Sequence, residues 1–157
     1  MANEIKMKTG TSAAITITLS SLTNGSGRQG TFIDNSTNLY HGAIVWVKMR
    51  SSGSAPTAGT TYDVYLLRRD SHSSPALTTD AAGSSDAALT VENAKLLGSL
   101  VLTATTTKDF VGEFDTGPLG PLGASWTVAV VNRSGQTTDS TAGNHVVQYL
   151  PYLPEVQ

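Results

Sequence analysis

The sequence predicts an all-β protein, an antiparallel β-sandwich or jelly roll of about seven to eight strands. Three observations carry that expectation. Serine and threonine are abundant, 17 and 22 residues of 157, while the helix formers Glu and Lys are scarce. Threonine suits a pleated surface because its branched Cβ is stiff at χ1, and Ser, Gly and Asn suit the turns between strands. Short runs alternate apolar and polar residues with a period of two, and no stretch keeps the helical period that alternating βαβ units require.

The first run is Ala14 to Leu19, where Ile15, Ile17 and Leu19 face one way and the intervening threonines the other. Ala43 to Met49 is apolar on both faces until Lys48, the pattern of a central strand covered by the core on one side and by loops or a neighbouring subunit on the other. Thr61 to Arg68 alternates again, with Tyr62, Val64 and Leu66 against Asp63, Tyr65 and Leu67. Leu96 to Ala104 and Lys108 to Phe114 read as a hairpin joined by Thr105 to Thr107. Ser125 to Asn132 places Trp126, Val128 and Val130 on one face, and His145 to Leu150 closes the set. An eighth strand is expected at Thr31 to Ile33 or near Leu89 to Val91.

Two segments interrupt this rhythm. Residues 70 to 94 exceed the usual loop length of about 15 residues, and read as an exposed loop followed by a short element near Leu89. The two Gly-Pro-Leu triplets from Gly117 to Leu122 are too few to wind a collagen helix and predict a rigid turn. At the C-terminus Pro151 and Pro154 lack the N–H a central strand needs, which predicts an extended tail from 151 to 157. The chain divides into an N-terminal arm (1–11), a single sandwich domain (12–150) and that tail.

Composition narrows the function. A net charge of −2 with 14% charged residues gives no basic field to hold a nucleic-acid backbone. The longest apolar runs fall far short of the roughly 20 residues that span a bilayer. With no cysteine there is neither a disulfide nor a thiolate nucleophile. The N-terminal stretch shows no apolar signal core, so a product made in a cytoplasm is expected, and the Asn-x-Ser/Thr matches at Asn24, Asn35 and Asn132 read as turn residues.

Sites of chemistry are sparse. His41, His72 and His145 share no ligand spacing, the acidic loop from Asp80 to Asp86 lacks an EF-hand pattern, and no nucleophile elbow occurs among the many hydroxyls. Glu113 and Asp115 share one side of their strand, as two glycosidase carboxylates do, but also as a solvent-facing stripe does. Trp46, Tyr62, Tyr65 and Trp126 can stack on a sugar, although the strands around Trp46 and Trp126 predict core packing for both. Arg28 and Gln29, flanked by Gly27 and Gly30, offer recognition groups for a carboxylate. No enzyme, cofactor or metal is expected.

The order of motifs adds one reading. Gly27-Arg28-Gln29, the run Asp34 to Tyr40, Val45-Trp46-Val47-Lys48, Ser85 to Thr90, Leu96-Leu97-Gly98, the Trp126 strand and Ala142-Gly143-Asn144-His145 with Val147 and Tyr149 succeed one another between about residues 12 and 150. This succession resembles small virion proteins encoded in the head modules of tailed bacteriophages. The resemblance implies a capsid decoration (cement, head-stabilising) protein. Such a protein is a sandwich of jelly-roll type on the outer capsid surface, bridging major capsid proteins as a dimer or trimer. It would be made in the host cytoplasm and need no nucleic acid, membrane or cofactor. The contacts it points to are Ile5, Lys6 and Lys8 of the arm, Arg28 and Gln29, and Tyr152 of the tail, with residues 70 to 86 facing outward. The alternative is a carbohydrate-binding or host-recognition module of a phage fibre, since fold alone does not settle function.

Overall fold

The computed structural model describes residues 4–70 and 78–156. Its strands are β1 (Ile5–Thr9), β2 (Ala13–Ala14), β3 (Gly27–Gln29), β4 (Ile33–Asp34), β5 (Gly42–Arg50), β6 (Thr61–Arg69), β7 (Ala87–Leu89), β8 (Lys95–Val101), β9 (Asp109–Asp115), β10 (Ser125–Arg133) and β11 (Val146–Val156). They form two antiparallel sheets. Sheet 1 has the order β1-β11-β5-β9, with β2 also on β11; sheet 2 has the order β7-β3-β10-β6-β8, with β4 on β10. When β1 and β2 are taken as one strand broken at Gly10, and β4 and β7 as additions, the eight main strands run 1-8-3-6 and 2-7-4-5. That is the jelly-roll order, so the all-β sandwich read from the sequence is the fold observed.

The alternating patterns build the core. Ala43, Val45, Val47 and Met49 of β5 face Tyr62, Val64 and Leu66 of β6 and Trp126, Val128 and Val130 of β10, all at most 2% exposed. Trp126 meets Tyr149 edge-on at 5.2 Å between ring centres, and Tyr62 meets Phe110 likewise at 6.3 Å. Ile15 and Leu19 are buried and Ile17 partly so, as their alternation predicts, yet the regular strand there covers only Ala13–Ala14. Beyond it the chain bridges the sheets: Ile15 N–H bonds Val147 O of sheet 1, while Thr16 O accepts from Thr31 N–H beside sheet 2.

Three expectations need correction. The predicted hairpin of residues 96–114 is an arch, because β8 belongs to sheet 2 and β9 to sheet 1. Phe114 explains the arrangement: its ring fills the space a side chain at Gly98 would occupy, so the two strands stack across the sandwich instead of pairing. The second correction concerns the tail. β11 runs on through Pro151, which pairs with Ala43, to Val156, which pairs with Ile5. Proline is tolerated because the carbonyl of Pro151 points at Gly10 N–H, at the break between β1 and β2, so its missing donor falls where the neighbouring strand is interrupted. Pro154 lies beyond Gly42, the first residue of β5, on the side where that strand has not begun. The third concerns Asn132, which lies within β10 and not in a turn, whereas Asn35 spans the turn after β4 as expected; both are buried, at 0% and 3% exposure, and organise loops from inside. The Asn132 amide donates to Leu22 O and Gln136 O, and that of Asn35 to Tyr40 O and Gly123 O.

The segment 117–122 forms a turn, as expected. A 3-10 turn spans Gly117–Leu119, Leu122 is fully buried, and the Arg68 guanidinium donates to Leu119 O and Gly120 O, each at 2.8 Å. The short element near Leu89 is β7. Of the outward loop expected at residues 70 to 86, residues 71–77 lie outside the described residues.

Candidate docking face

The two chain ends make one structure. β1 pairs with β11 over Ile5↔Val156, Lys6↔Glu155, Met7↔Pro154, Lys8↔Leu153 and Thr9↔Tyr152. Opposed residues in an antiparallel pair share a face. One face of this ribbon therefore carries Ile5, Met7, Pro154 and Val156, with Ile5 74% and Met7 59% exposed. The other carries the lysines, where Lys8 Nζ reaches Glu155 at 3.2 Å and Lys6 Nζ reaches Glu4 at 3.4 Å.

The apolar face of the ribbon continues onto the body. In β5 the odd-numbered residues from Ala43 to Met49 point into the core, so Ile44, Trp46, Lys48 and Arg50 point out, together with Gln148, Leu150 and Tyr152 of β11. Ile44, Trp46, Leu150 and Tyr152 are each half-buried. They form a row that leads to Pro154, Met7, Val156 and Ile5. Trp46 is thus not the core residue its strand suggests; its Nε1–H donates to Glu113 at 2.7 Å on the outer surface. Tyr152 lies over Gly42, where a methyl group would meet its ring at 2.5 Å, and its hydroxyl donates to Asp115 at 2.5 Å. Burial, and then the neighbouring Asp115 carboxylate, push the Tyr152 hydroxyl up to about 12.

Of the contacts read from the sequence, Ile5, Lys6, Lys8 and Tyr152 come together on this ribbon. Arg28 and Gln29 do not, because β3 is an inner strand of sheet 2, between β7 and β10. Arg28 Nε is paired with Asp86 at 2.6 Å, and Asp86 also accepts from Thr18 at 2.5 Å. Burial alone would raise the Asp86 carboxyl, but these donors outweigh it and hold the group low. Gln29 is fully buried; its amide nitrogen donates to Ser85 O and Gly83 O and its oxygen accepts from Ala82 N–H. With every polar atom engaged inside the fold, Gln29 fixes loop 82–85. The expectation of an exposed Arg-Gln loop fails because its residues pair as a strand.

The remaining candidates for chemistry are tied into structure. His145 is 9% exposed and sits between Asp139 O, at 2.9 Å from Nε2, and Arg50 N–H. Glu113 and Asp115 receive the donors of Trp46 and Tyr152, which gives both carboxylates a structural partner. Among the described residues no group of three or more His, Asp and Glu side chains is arranged to hold a metal ion. A cleft of about 280 Å³ lies beside Gly25 to Gly27, Leu89 and Arg133. Another of about 420 Å³ runs between β8 and β9.

No model of a known protein family matches the chain, and no curated protein matches its sequence. The second apolar face expected for residues 43–49 is the outer row of Ile44 and Trp46, which Leu150 joins from β11. Its signal was there in the two-faced apolarity of residues 43–47, which a strand with one wet face does not need.

Proposed function

We propose that the protein is a virion structural protein that decorates the outer surface of a phage capsid and stabilises it by bridging major capsid proteins. The observation that supports this reading is the apolar row on the outer face of sheet 1 that runs from the half-buried Trp46, Ile44, Leu150 and Tyr152 to the exposed Met7 and Ile5. Large apolar surface on a folded domain marks a site of association, and flat sheet faces suit protein surfaces better than small ligands. Many copies bound at symmetry-related seams would turn a modest affinity per site into firm attachment of the shell. The terminal ribbon extends the contact beyond the domain, as a clamp across a seam requires. The motif order from residue 12 to 150 supports the same reading.

Co-sedimentation with expanded, undecorated capsids of the encoding phage tests it. Saturable binding at a fixed ratio to the major capsid protein, with a raised disruption temperature of the shell, is the expected outcome. Absence of binding to expanded and unexpanded shells alike would overturn it. The half-exposed Trp46 beside Glu113 also favours one other reading, a glycan-binding fibre module, and a glycan array then becomes the deciding measurement.

A further inference from the structure

We infer that the cleft beside Gly25 to Gly27 is a binding site for a small hydroxylated carboxylate, the chemistry of one acidic sugar residue. The cleft is a gap in a strand ladder. The bonds from Asn132 N–H to Ser26 O and from Gly30 N–H to Val128 O turn the even-numbered groups of β3 towards β10, which leaves Gly27 and Gln29 to bond β7. Gly27 pairs with Leu89, and the next bonded pair in that register is Gly25 with Val91. That pair does not form. Gly25 adopts a φ of +82°, which suits glycine, and gives its N–H to Asn132 O at 2.7 Å instead. The N–H and C=O of Val91 and the C=O of Gly25 are left without a partner among the described residues, and both residues line the cleft.

The rest of the lining supplies a charge and an apolar floor. Asp63 accepts from Arg133 Nε at 2.8 Å and the Tyr65 hydroxyl borders the same guanidinium, so the head group is held from the β6 side. The other Asp63 oxygen is taken by Ser99. A guanidinium carries five N–H donors, and the Arg133 side chain is 56% exposed, so donors remain for a ligand. The floor is the buried Val131 with Gly27, where a methyl group would meet Leu89 O at 2.8 Å and Val131 Cγ2 at 3.3 Å. Glycine keeps that floor bare.

These groups select the ligand. A carboxylate matches the planar fork of Arg133 and accepts from Val91 N–H, while hydroxyls on the same ligand donate to the carbonyls of Val91 and Gly25. Of the described residues that line the cleft, Arg133 is the only cation and none is aromatic. One cation suits a single negative charge better than the nearly double charge of a phosphate ester. An amino acid is disfavoured, because its ammonium would stand beside the guanidinium. Without an aromatic ring a neutral sugar gains no stacking there. The volume of about 280 Å³ lies at the lower end of small-molecule sites, near about 300 Å³, and limits the ligand to one sugar residue. The cleft belongs to sheet 2 and is separate from the Trp46 row of sheet 1.

An amide NMR titration of the intact protein with glucuronate, and with glucose as the neutral sugar of similar size, tests the site. Saturable shifts of the Gly25, Gly27 and Val91 amides are expected, with a Kd of about 1 mM or tighter for glucuronate and at least tenfold weaker binding of glucose. An equal response to both sugars, no saturation well above that concentration, or shifts centred on Trp46 Nε1–H would overturn the inference. Thr90→Glu sets a carboxylate against the ligand from an exposed position in the lining and should weaken glucuronate binding at least tenfold. Arg133→Gln should do the same. Thr90→Glu leaves the Asp63 pair intact, so loss of binding in that variant does not arise from a disturbed fold. Unchanged affinity in either variant counts against the site. The titration needs no capsid: a protein that ignores capsids leaves this inference standing, and failure here leaves the docking face on sheet 1 untouched.

Discussion

Gln29 shows how one residue can hold a loop that its neighbours cannot. Its three hydrogen bonds to Ala82, Gly83 and Ser85 are made at full burial, in a strand of three residues. Gln29→Ala leaves these backbone groups without partners and opens a small cavity, which together cost about 2–4 kcal/mol. We expect a lower urea midpoint with an unchanged slope. Arg28→Ala, which removes a partly exposed ion pair, should cost about 1 kcal/mol or less. A larger cost for Arg28→Ala than for Gln29→Ala would mean that the ion pair, not the buried amide, fixes the loop. From sequence, Arg28-Gln29 between glycines is indistinguishable from an exposed recognition loop, because the partners of Gln29 lie more than fifty residues away. The assignment of Ile5, Met7 and Tyr152 to one surface was likewise hidden, since it depends on pairing between the two ends of the chain.

At the scale of elements, local alternation was legible and partnership was not. β5, β6 and β10 lie where their patterns place them, because each buries one apolar face against the other sheet. The β8–β9 arch reads as a hairpin because a sequence does not reveal when Phe114 needs the space at Gly98. Pro151 reads as a terminator because the interruption of the adjacent strand at Gly10 is invisible from the C-terminal side. The connection from β10 to β11 carries a pH dependence of its own. There His145 bridges Asp139 O and Arg50 N–H, joining the connection to the end of β5. Burial, assisted by Lys48 and Arg50, outweighs the opposing pull of Asp139 and lowers its pKa from the usual 6.5. The unfolded chain therefore binds the proton more readily than the folded one. This contribution is complete above about pH 6.5 and is lost as the pH falls from there towards the folded value. Asp80, Asp86 and Asp109, whose pKa values are held below 3.8, lose theirs only as the pH falls below about 4. Urea midpoints measured from pH 7.5 to 5 should decline in the wild type and stay level in His145→Gln. A parallel decline in both would assign the effect elsewhere.

For the whole molecule, the distribution of polarity separates two kinds of contact. The outer row of sheet 1 is apolar and the net charge is only −2, so the proposed attachment to a shell should draw on burial and little on long-range attraction. Raising the salt from about 0.05 M to about 0.5 M shortens the screening length from about 14 Å to about 4 Å. Binding to capsids should then change by less than about threefold, since apolar burial is not screened. Capsid titrations at both salt concentrations check this. Strong salt dependence of capsid binding would move the docking surface away from the Trp46 row and towards the charged face of the ribbon, where Lys6 and Lys8 stand.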